Sequence, residues 1–406
     1  MTIIPGSIQL VENPKAKRDE SYANGVRETI LGGAAFDFAK QEITSWNGYQ
    51  KTRLCELPGL ARALKVKNTF YKDEGSRFNL GSFKALGGAY AVLRLLQKEI
   101  ETKTGQVVRS KAIVDRSFAD IVSGITVTCA TDGNHGRSVA WGASLFGCQC
   151  VIYVHETVSK GRQDAIAKYG AEVRVVPGNY DDAVRKAAQD AADNGWFVVS
   201  DTSYEGYTSV PRDVMQGYTV MAEESVEQIG EKPTHIFVQG GVGGLAAAIC
   251  AYFWEQQGAA RPYYVVVEPD RADCLYQSAK AGKPVAVHGA LDTIMAGLAC
   301  GEVSIIAWEI LSGGANAFMT IPDSAAAEAM RVLASAPYGD DPIVAGESAV
   351  AGLAGAILAA SDADARARLG LTEDSVLLFY GTEGATDAAV YKQIVGRTPE
   401  DILAVA

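Results

Sequence analysis

The chain has 406 residues, with 37 Lys plus Arg against 48 Asp plus Glu, and its formal net charge of −11 makes nucleic acid a poor partner. Hydrophobic residues at 48 % and charged residues at 21 % give a globular composition, which excludes a disordered or fibrous chain, and the length implies about two or three cores. The longest apolar runs, YYVVVEP around Val265 and AVAGLAGAILAA from Ala349, fall short of the ~20 residues a bilayer needs, so no membrane partner is expected.

The opening stretch, MTIIPGSIQLVENPKAKRDE, lacks the basic patch, apolar run and small-residue cleavage site of an export signal, and a cytoplasmic location is the expectation. The cysteines (Cys55, Cys129, Cys148, Cys150, Cys250, Cys274, Cys300) are odd in number and mostly set in apolar stretches, as suits reduced, packed thiols. Cys148 and Cys150 form a C-x-C whose alternation along a strand puts both on one face. With only four His and no further thiol close by in sequence, no metal is expected there.

In chain order, β-rich runs begin at Ile125 (ITVTCA), Cys148 (CQCVIYV), Glu172 (EVRVVP), Trp196 (WFVVS), His235 (HIFVQ), Tyr263 (YYVVVEP) and Ser375 (SVLLFYG). Ala-rich segments of helical length lie between them, among them SVAWGASLFG, KGRQDAIAKYG, DDAVRKAAQDAADNG and GGLAAAICAYFWEQQG, several stopping at Gly. Strand followed by helix, repeated, predicts an α/β fold with parallel sheets covered on both faces. The segment from Thr104 to Gly124 fits neither period and reads as a surface insertion rather than a flap over a site. No Pro- or Ser-rich linker divides the chain, which favours two lobes that exchange segments.

Ligands of open α/β sheets sit at the carboxyl ends of strands, and four places there stand out. The first is Ser76 to Lys84, SRFNLGSFK, followed by the helical run ALGGAYAVLRLLQKEI. A lysine opening a helix opposes the helix dipole, and burial with a helix N-terminus lowers a lysine's pKa, the condition for Schiff-base chemistry. The plain alternative is a solvated surface lysine. The second is Thr131-Asp132-Gly133-Asn134-His135-Gly136, where Asp132 and Asn134 can cap a helix but crowd more polar chemistry onto one turn than a cap needs. The third is Gly240-Gly241-Val242-Gly243-Gly244, between the strand HIFVQ and an Ala-rich helix, which reads as a phosphate cup. Its rival is a dinucleotide site, because Gly241, Gly243 and Ala246 satisfy G-x-G-x-x-A and Glu268 ends the next strand. The fourth is Gly381-Thr382-Glu383-Gly384-Ala385-Thr386, where Thr382 or Glu383 can cap the following helix.

Taken together, the four segments resemble the fold-type II pyridoxal-phosphate enzymes, the tryptophan synthase β-like group that includes serine and threonine dehydratases. The agreement in order spans nearly the whole chain, and it is the other three places that set aside the dinucleotide reading. Within the group, SRFNLGSFKALGG, ATDGNHGRSVAWGA, DTSYEGY with DVMQGY, and GTEGATD look most like ammonia-lyases of 2,3-diamino acids. That likeness rests on Asp132, where hydroxyl-eliminating relatives usually carry Ser or another small residue.

The resemblance implies two parallel-sheet α/β lobes with the cofactor in the cleft between them, a large lobe of residues 1–83 and 201–406 and a small one of 84–200. It implies that Lys84 forms the Schiff base with pyridoxal 5'-phosphate, that Gly240, Gly241, Val242, Gly243 and Gly244 hold the phosphate, that Asn134 contacts the phenolic oxygen and that Thr382 faces the ring nitrogen. Asp132 and Asp201 would be the distinctive acids, binding the second ammonium, with Lys84 and Asp132 serving the L and D substrate forms from opposite faces. The implied reaction is α,β-elimination of D- or L-2,3-diaminopropionate to pyruvate and two ammonia; the alternative is a dehydratase or a lyase for another β-substituted amino acid. A homodimer follows from the same resemblance, while the apolar stretch beyond Ala349 suits a core or an interface equally. His135 reads as packing beneath its turn, Glu347 and Ser348 as a helix start with a cap, and Tyr204 as lining or ordinary packing.

Overall fold

The computed structural model describes residues 4–17, 20–23, 25–131 and 133–404. Its strands are β1 (Gln9–Glu12), β2 (Arg53–Glu56), β3 (Asn68–Asp73), β4 (Thr126–Ala130), β5 (Gln149–His155), β6 (Glu172–Val176), β7 (Phe197–Val198), β8 (His235–Gln239), β9 (Tyr263–Pro269), β10 (Ala317–Ile321) and β11 (Val376–Gly381). The helices that matter for function are α1 (Lys84–Thr104), α2 (Asn134–Phe146), α3 (Ser209–Gln228), α4 (Gly244–Gln257), α5 (Cys274–Ala281) and α6 (Ala351–Ser361). They belong to two compact units, one of Met1–Gly33, Lys51–Ser76 and Met221–Ala406, the other of Ala34–Gln50 and Arg77–Val220.

The first unit holds a seven-stranded sheet in the order β1-β10-β9-β8-β11-β3-β2. From β10 to β3 the neighbours are parallel, but β1 pairs antiparallel with β10 and β2 antiparallel with β3. The expectation of a wholly parallel sheet is corrected here to a mixed one. QLVE and RLCE are four-residue edge strands, exposed at both ends, and with one paired side they carry no continuous apolar run to betray them. Strands β8 and β11 are buried at every residue, as central strands covered on both faces must be. The apolar stretch beyond Ala349 becomes α6, whose residues from Ala351 to Ala359 are buried in this unit's core. It approaches β8 so closely that a Cβ on Gly352 would lie 2.5 Å from the Phe237 carbonyl oxygen.

The second unit carries a four-stranded sheet, β6-β5-β4-β7, parallel throughout. Helices α1 and α2 pack through small residues, and a Cβ on Gly142 would meet the Ala89 Cα at 2.7 Å. The breaks in this division fall at 76/77 and 220/221, and residues 34–50 join the second unit. Aromatic packing accounts for that membership: the Trp46 ring lies 6.0 Å from Phe78, 5.9 Å from Trp141 and 5.6 Å from Phe146. The segment 104–124 is an ordered insertion with two short helices, Ser110–Val114 and Ala119–Val122. It is tied down by Gln97 donating to the Val108 carbonyl at 2.9 Å and by Arg116 donating to the Leu145 carbonyl at 3.0 Å near the end of α2. No helix among the described residues is long and apolar enough to cross a membrane.

Candidate active site

In the second unit, Lys84 is the first residue of α1, its side chain one-fifth exposed. Its Nζ donates to Asp201 Oδ2 at 2.7 Å and lies 5.3 Å from the Phe83 ring centroid and 5.9 Å from that of Tyr218. The reading of a solvated surface lysine is set aside by this pairing. Burial pushes the Asp201 carboxyl up, but the Lys84 ammonium and His135 outweigh it and hold the group well below the usual carboxylate range. Tyr218 reaches the lysine from α3, its ring tilted against that of Phe83 with centroids 4.6 Å apart. It fits only because residue 87 is glycine: a Cβ there would meet the Tyr218 Cζ and the Val214 Cγ1 at 2.7 Å each.

Two side chains fix the backbone that presents Asp201. The Tyr207 hydroxyl accepts from the Ser200 N–H at 3.0 Å and donates to the Val198 carbonyl at 2.9 Å, and His135 Nε2 bonds the Val199 carbonyl at 2.8 Å. Tyr204 stacks on Tyr207 with centroids 5.1 Å apart and is itself exposed, so it contributes packing to the loop. His135, expected to pack beneath its own turn, bonds the backbone just beyond β7. Asn134 opens α2 and does not cap it; the cap residue is Gly133, and the Thr131 hydroxyl accepts from the N–H groups of Gly133 and Gly136 at 3.0 Å each. The Asn134 side-chain oxygen accepts instead from Arg137. Asp132 lies outside the described residues.

In the first unit, residues Gly240 to Gly244 join β8 to α4, with Gly243 as the cap at φ +98°. A Cβ on Gly240 would come within 2.6 Å of Leu275 and 2.7 Å of Val266, and one on Gly241 within 3.2 Å of the Cys300 Sγ. Glycine is therefore a packing requirement as well as a conformational one. Among the backbone hydrogen bonds of the described residues, none has an N–H of Gly241, Val242, Gly243 or Gly244 as donor, which leaves these groups to an outside acceptor. Glu268 is no ribose ligand. Its carboxylate accepts from the N–H groups of Leu275 at 2.9 Å and Tyr276 at 2.6 Å, holding the start of α5, and this structure removes the dinucleotide alternative's acidic residue.

Also in the first unit, Thr382 is 3 % exposed and its hydroxyl accepts from Gln239 Nε2 at 2.7 Å. The same nitrogen donates to the Tyr380 carbonyl at 2.7 Å, which fixes the amide's orientation. The hydroxyl's own proton is thus turned toward another acceptor. Neither Thr382 nor Glu383 caps the helix that follows, since Asp387 does so through the N–H groups of Ala389 and Val390. Ser348 departs from its expected capping role as well. Its hydroxyl accepts from the Gly297 N–H at 2.9 Å and its own N–H donates to Glu383 Oε1 at 3.2 Å, while the helix beyond starts without a side-chain cap.

Residues 46–381 match the family model for pyridoxal-phosphate dependent enzymes. The chain belongs to that family. It is similar to the diaminopropionate ammonia-lyase of Escherichia coli K12, with 41 % identity over 390 residues, 93 % of this chain and 95 % of that protein. The crystal structure of the holo diaminopropionate ammonia lyase from Escherichia coli superposes with a TM-score of 0.87 at 37 % identity, covering 99 % of each chain. The complex of that enzyme with an aminoacrylate-PLP azomethine reaction intermediate gives 0.84 at 38 %, covering 99 % of this chain and 100 % of that one.

The residues present fit the family's cofactor. A glycine loop with undirected N–H groups suits a phosphate, a partly buried amine suits an aldehyde, and a hydroxyl whose oxygen is already occupied suits an unprotonated ring nitrogen. Sequence reading overlooked Gln239, Tyr207 and Tyr218. Gln239 had a signal, a polar residue closing an otherwise apolar strand directly before the glycines. The two tyrosines close the segments DTSYEGY and DVMQGY that carry the family likeness, but only tertiary packing distinguishes them from ordinary core aromatics.

Proposed function

We propose that the protein is a pyridoxal-phosphate-dependent ammonia-lyase that eliminates the β-amino group of D- or L-2,3-diaminopropionate, giving pyruvate and two ammonia. The observation that carries this reading is the Lys84 amine at the start of α1, held 2.7 Å from Asp201. The likeness to named diaminopropionate ammonia-lyases supports the substrate. Pyridoxal phosphate, when bound, supplies an electron sink for the charge left on the α-carbon once its proton departs.

Lys84 would hold the cofactor's aldehyde carbon, Gly240, Gly241, Val242, Gly243 and Gly244 its phosphate, Asn134 its phenolic oxygen and Thr382 its ring nitrogen. A hydroxyl cannot hold a proton on that nitrogen as a carboxylate does, so charge at the α-carbon is stored poorly and expulsion of the β-substituent is favoured. Lys84 takes the α-proton of the L form and Asp132 that of the D form. Asp132 and Asp201 bind the substrate's second ammonium, a cation that repays a buried carboxylate where a serine hydroxyl would not. After ammonia leaves, the remaining unsaturated amine hydrolyses to pyruvate and the second ammonia. The chain works as a homodimer in the cytoplasm, a reading supported by its unpaired cysteines and by the resemblance.

The test compares pyruvate formation from D- and L-diaminopropionate with that from D- and L-serine, using protein saturated with pyridoxal phosphate. Faster turnover of both diaminopropionate enantiomers is expected, and a clear preference for serine would overturn the substrate in favour of a dehydratase.

A further inference from the structure

His135 is fixed more completely than a packing residue needs to be. Its Nε2 faces the Val199 carbonyl at 2.8 Å, and since a carbonyl only accepts, that nitrogen carries a proton. The other nitrogen, Nδ1, is fully buried and has no hydrogen-bond partner among the described residues, and it lies 3.9 Å from Asp201 Oδ2. That same carboxylate oxygen is the one bonded by Lys84 at 2.7 Å. One carboxylate therefore stands between an ammonium and an idle imidazole nitrogen.

We propose that His135 is a positioning residue for Asp201, taking up a proton on Nδ1 and becoming its cationic partner whenever the Lys84 amine is not an ammonium. This rests on the assignment of Lys84 as the amine that engages the cofactor. The charges balance. With Lys84 protonated, the three groups carry +1, −1 and 0; when Lys84 gives up its proton and His135 gains one, they carry 0, −1 and +1. Without that exchange, a largely buried carboxylate is left with no cation, the costly half of a broken ion pair. Closing the gap from 3.9 Å to a hydrogen bond needs a shift of about 1 Å, within the reach of a carboxylate rotation.

Among the described residues, the charged groups that face His135 are Lys84 at the start of α1 and Asp201 beyond β7; Arg137, on its own helix, is engaged with Asn134. In the paired state burial and the Lys84 ammonium hold the imidazole below its ordinary value against the pull of Asp201. Removing the ammonium deletes one of those two depressing influences and leaves the raising one.

The experiment follows the imidazole nitrogens by NMR in protein labelled with 15N-histidine. The chain has four His, so a His135→Asn spectrum assigns the signal. In cofactor-free wild type, His135 should be neutral at pH 7 with the proton on Nε2. In Lys84→Met, with Lys84→Gln as a second variant should the first fail to fold, its titration midpoint should rise by at least about one pH unit, a tenfold change in proton affinity. Adding Asp201→Asn to Lys84→Met should abolish the rise, and wild type saturated with pyridoxal phosphate should show the imidazolium. An unchanged midpoint in the lysine variants, or a rise that survives Asp201→Asn, overturns the proposal. Failure of the wild type to take up pyridoxal phosphate would instead sink the functional reading, and the cofactor-free variants would still decide the role of His135.

Discussion

Gln239 Nε2 bridges the Tyr380 carbonyl and the Thr382 hydroxyl, each at 2.7 Å, so the end of β8 dictates which way the Thr382 proton points. The arrangement needs a hydroxyl at position 382 and tolerates the loss of its methyl group. Thr382→Ser should keep elimination within a few-fold of wild type, whereas Thr382→Ala should lower kcat by about tenfold, the worth of one hydrogen bond at about 1.4 kcal/mol. Steady-state pyruvate release measures both, and equal rates for the two variants would remove Thr382 from the site.

Losing the Lys84 amine should abolish the visible absorbance of bound cofactor and cut turnover by at least about 10²–10⁴-fold in Lys84→Ala, measured by spectrum and pyruvate assay.

Asp201 makes the cofactor-free protein acid-sensitive in a defined direction. Its folded-state pKa lies below the unfolded value near 4, so its contribution is present above that pH and is lost as pH falls toward the folded value. Asp201→Asn should cost about 1–3 kcal/mol at pH 7 by urea unfolding, and the gap from wild type should shrink below about pH 4. A gap that widens with acid would contradict the pairing with Lys84.

The glycine loop leaves no room at Gly240. Gly240→Ala forces a Cβ toward Leu275 and Val266 and should destabilise the fold by about 1–3 kcal/mol. Displacement of the loop's N–H groups should also raise the Kd for pyridoxal phosphate, read by equilibrium dialysis. Gly258, whose Cβ would meet nothing within 4 Å but which sits at φ +54°, provides the comparison: Gly258→Ala should lose stability through backbone strain without weakening cofactor binding.

Lys72 in β3 is fully buried and donates to Glu224 at 2.6 Å, to the Thr52 carbonyl at 2.8 Å and to Gln228 at 2.7 Å. Lys72→Met would leave the Glu224 carboxylate buried without its cation and should cost about 3–5 kcal/mol in thermal or urea unfolding. A loss under about 1 kcal/mol would mean that the surrounding polar groups suffice for Glu224.

Residues adjacent in the chain declare their chemistry in the sequence by itself. The alternation of apolar runs with Ala-rich segments, the lysine opening a helix, the glycines directly after HIFVQ and the D-G-N-H turn are local patterns, and each settles the backbone at its own place. They suffice for an α/β fold and for the positions of Lys84, Asn134 and the glycine loop at element ends. Strand β3 stayed hidden because NTFYKD carries a lysine that only a partner 152 residues later makes tolerable inside a sheet. The same holds for what orients the chemistry: Asp201 lies 117 positions from Lys84, Thr382 lies 143 from Gln239, and Glu268, a ribose ligand by its place in the sequence, holds the start of α5. A sequence lists which side chains can carry charge or hydrogen bonds; which of them spend that capacity on each other is decided by distances that exist only after folding.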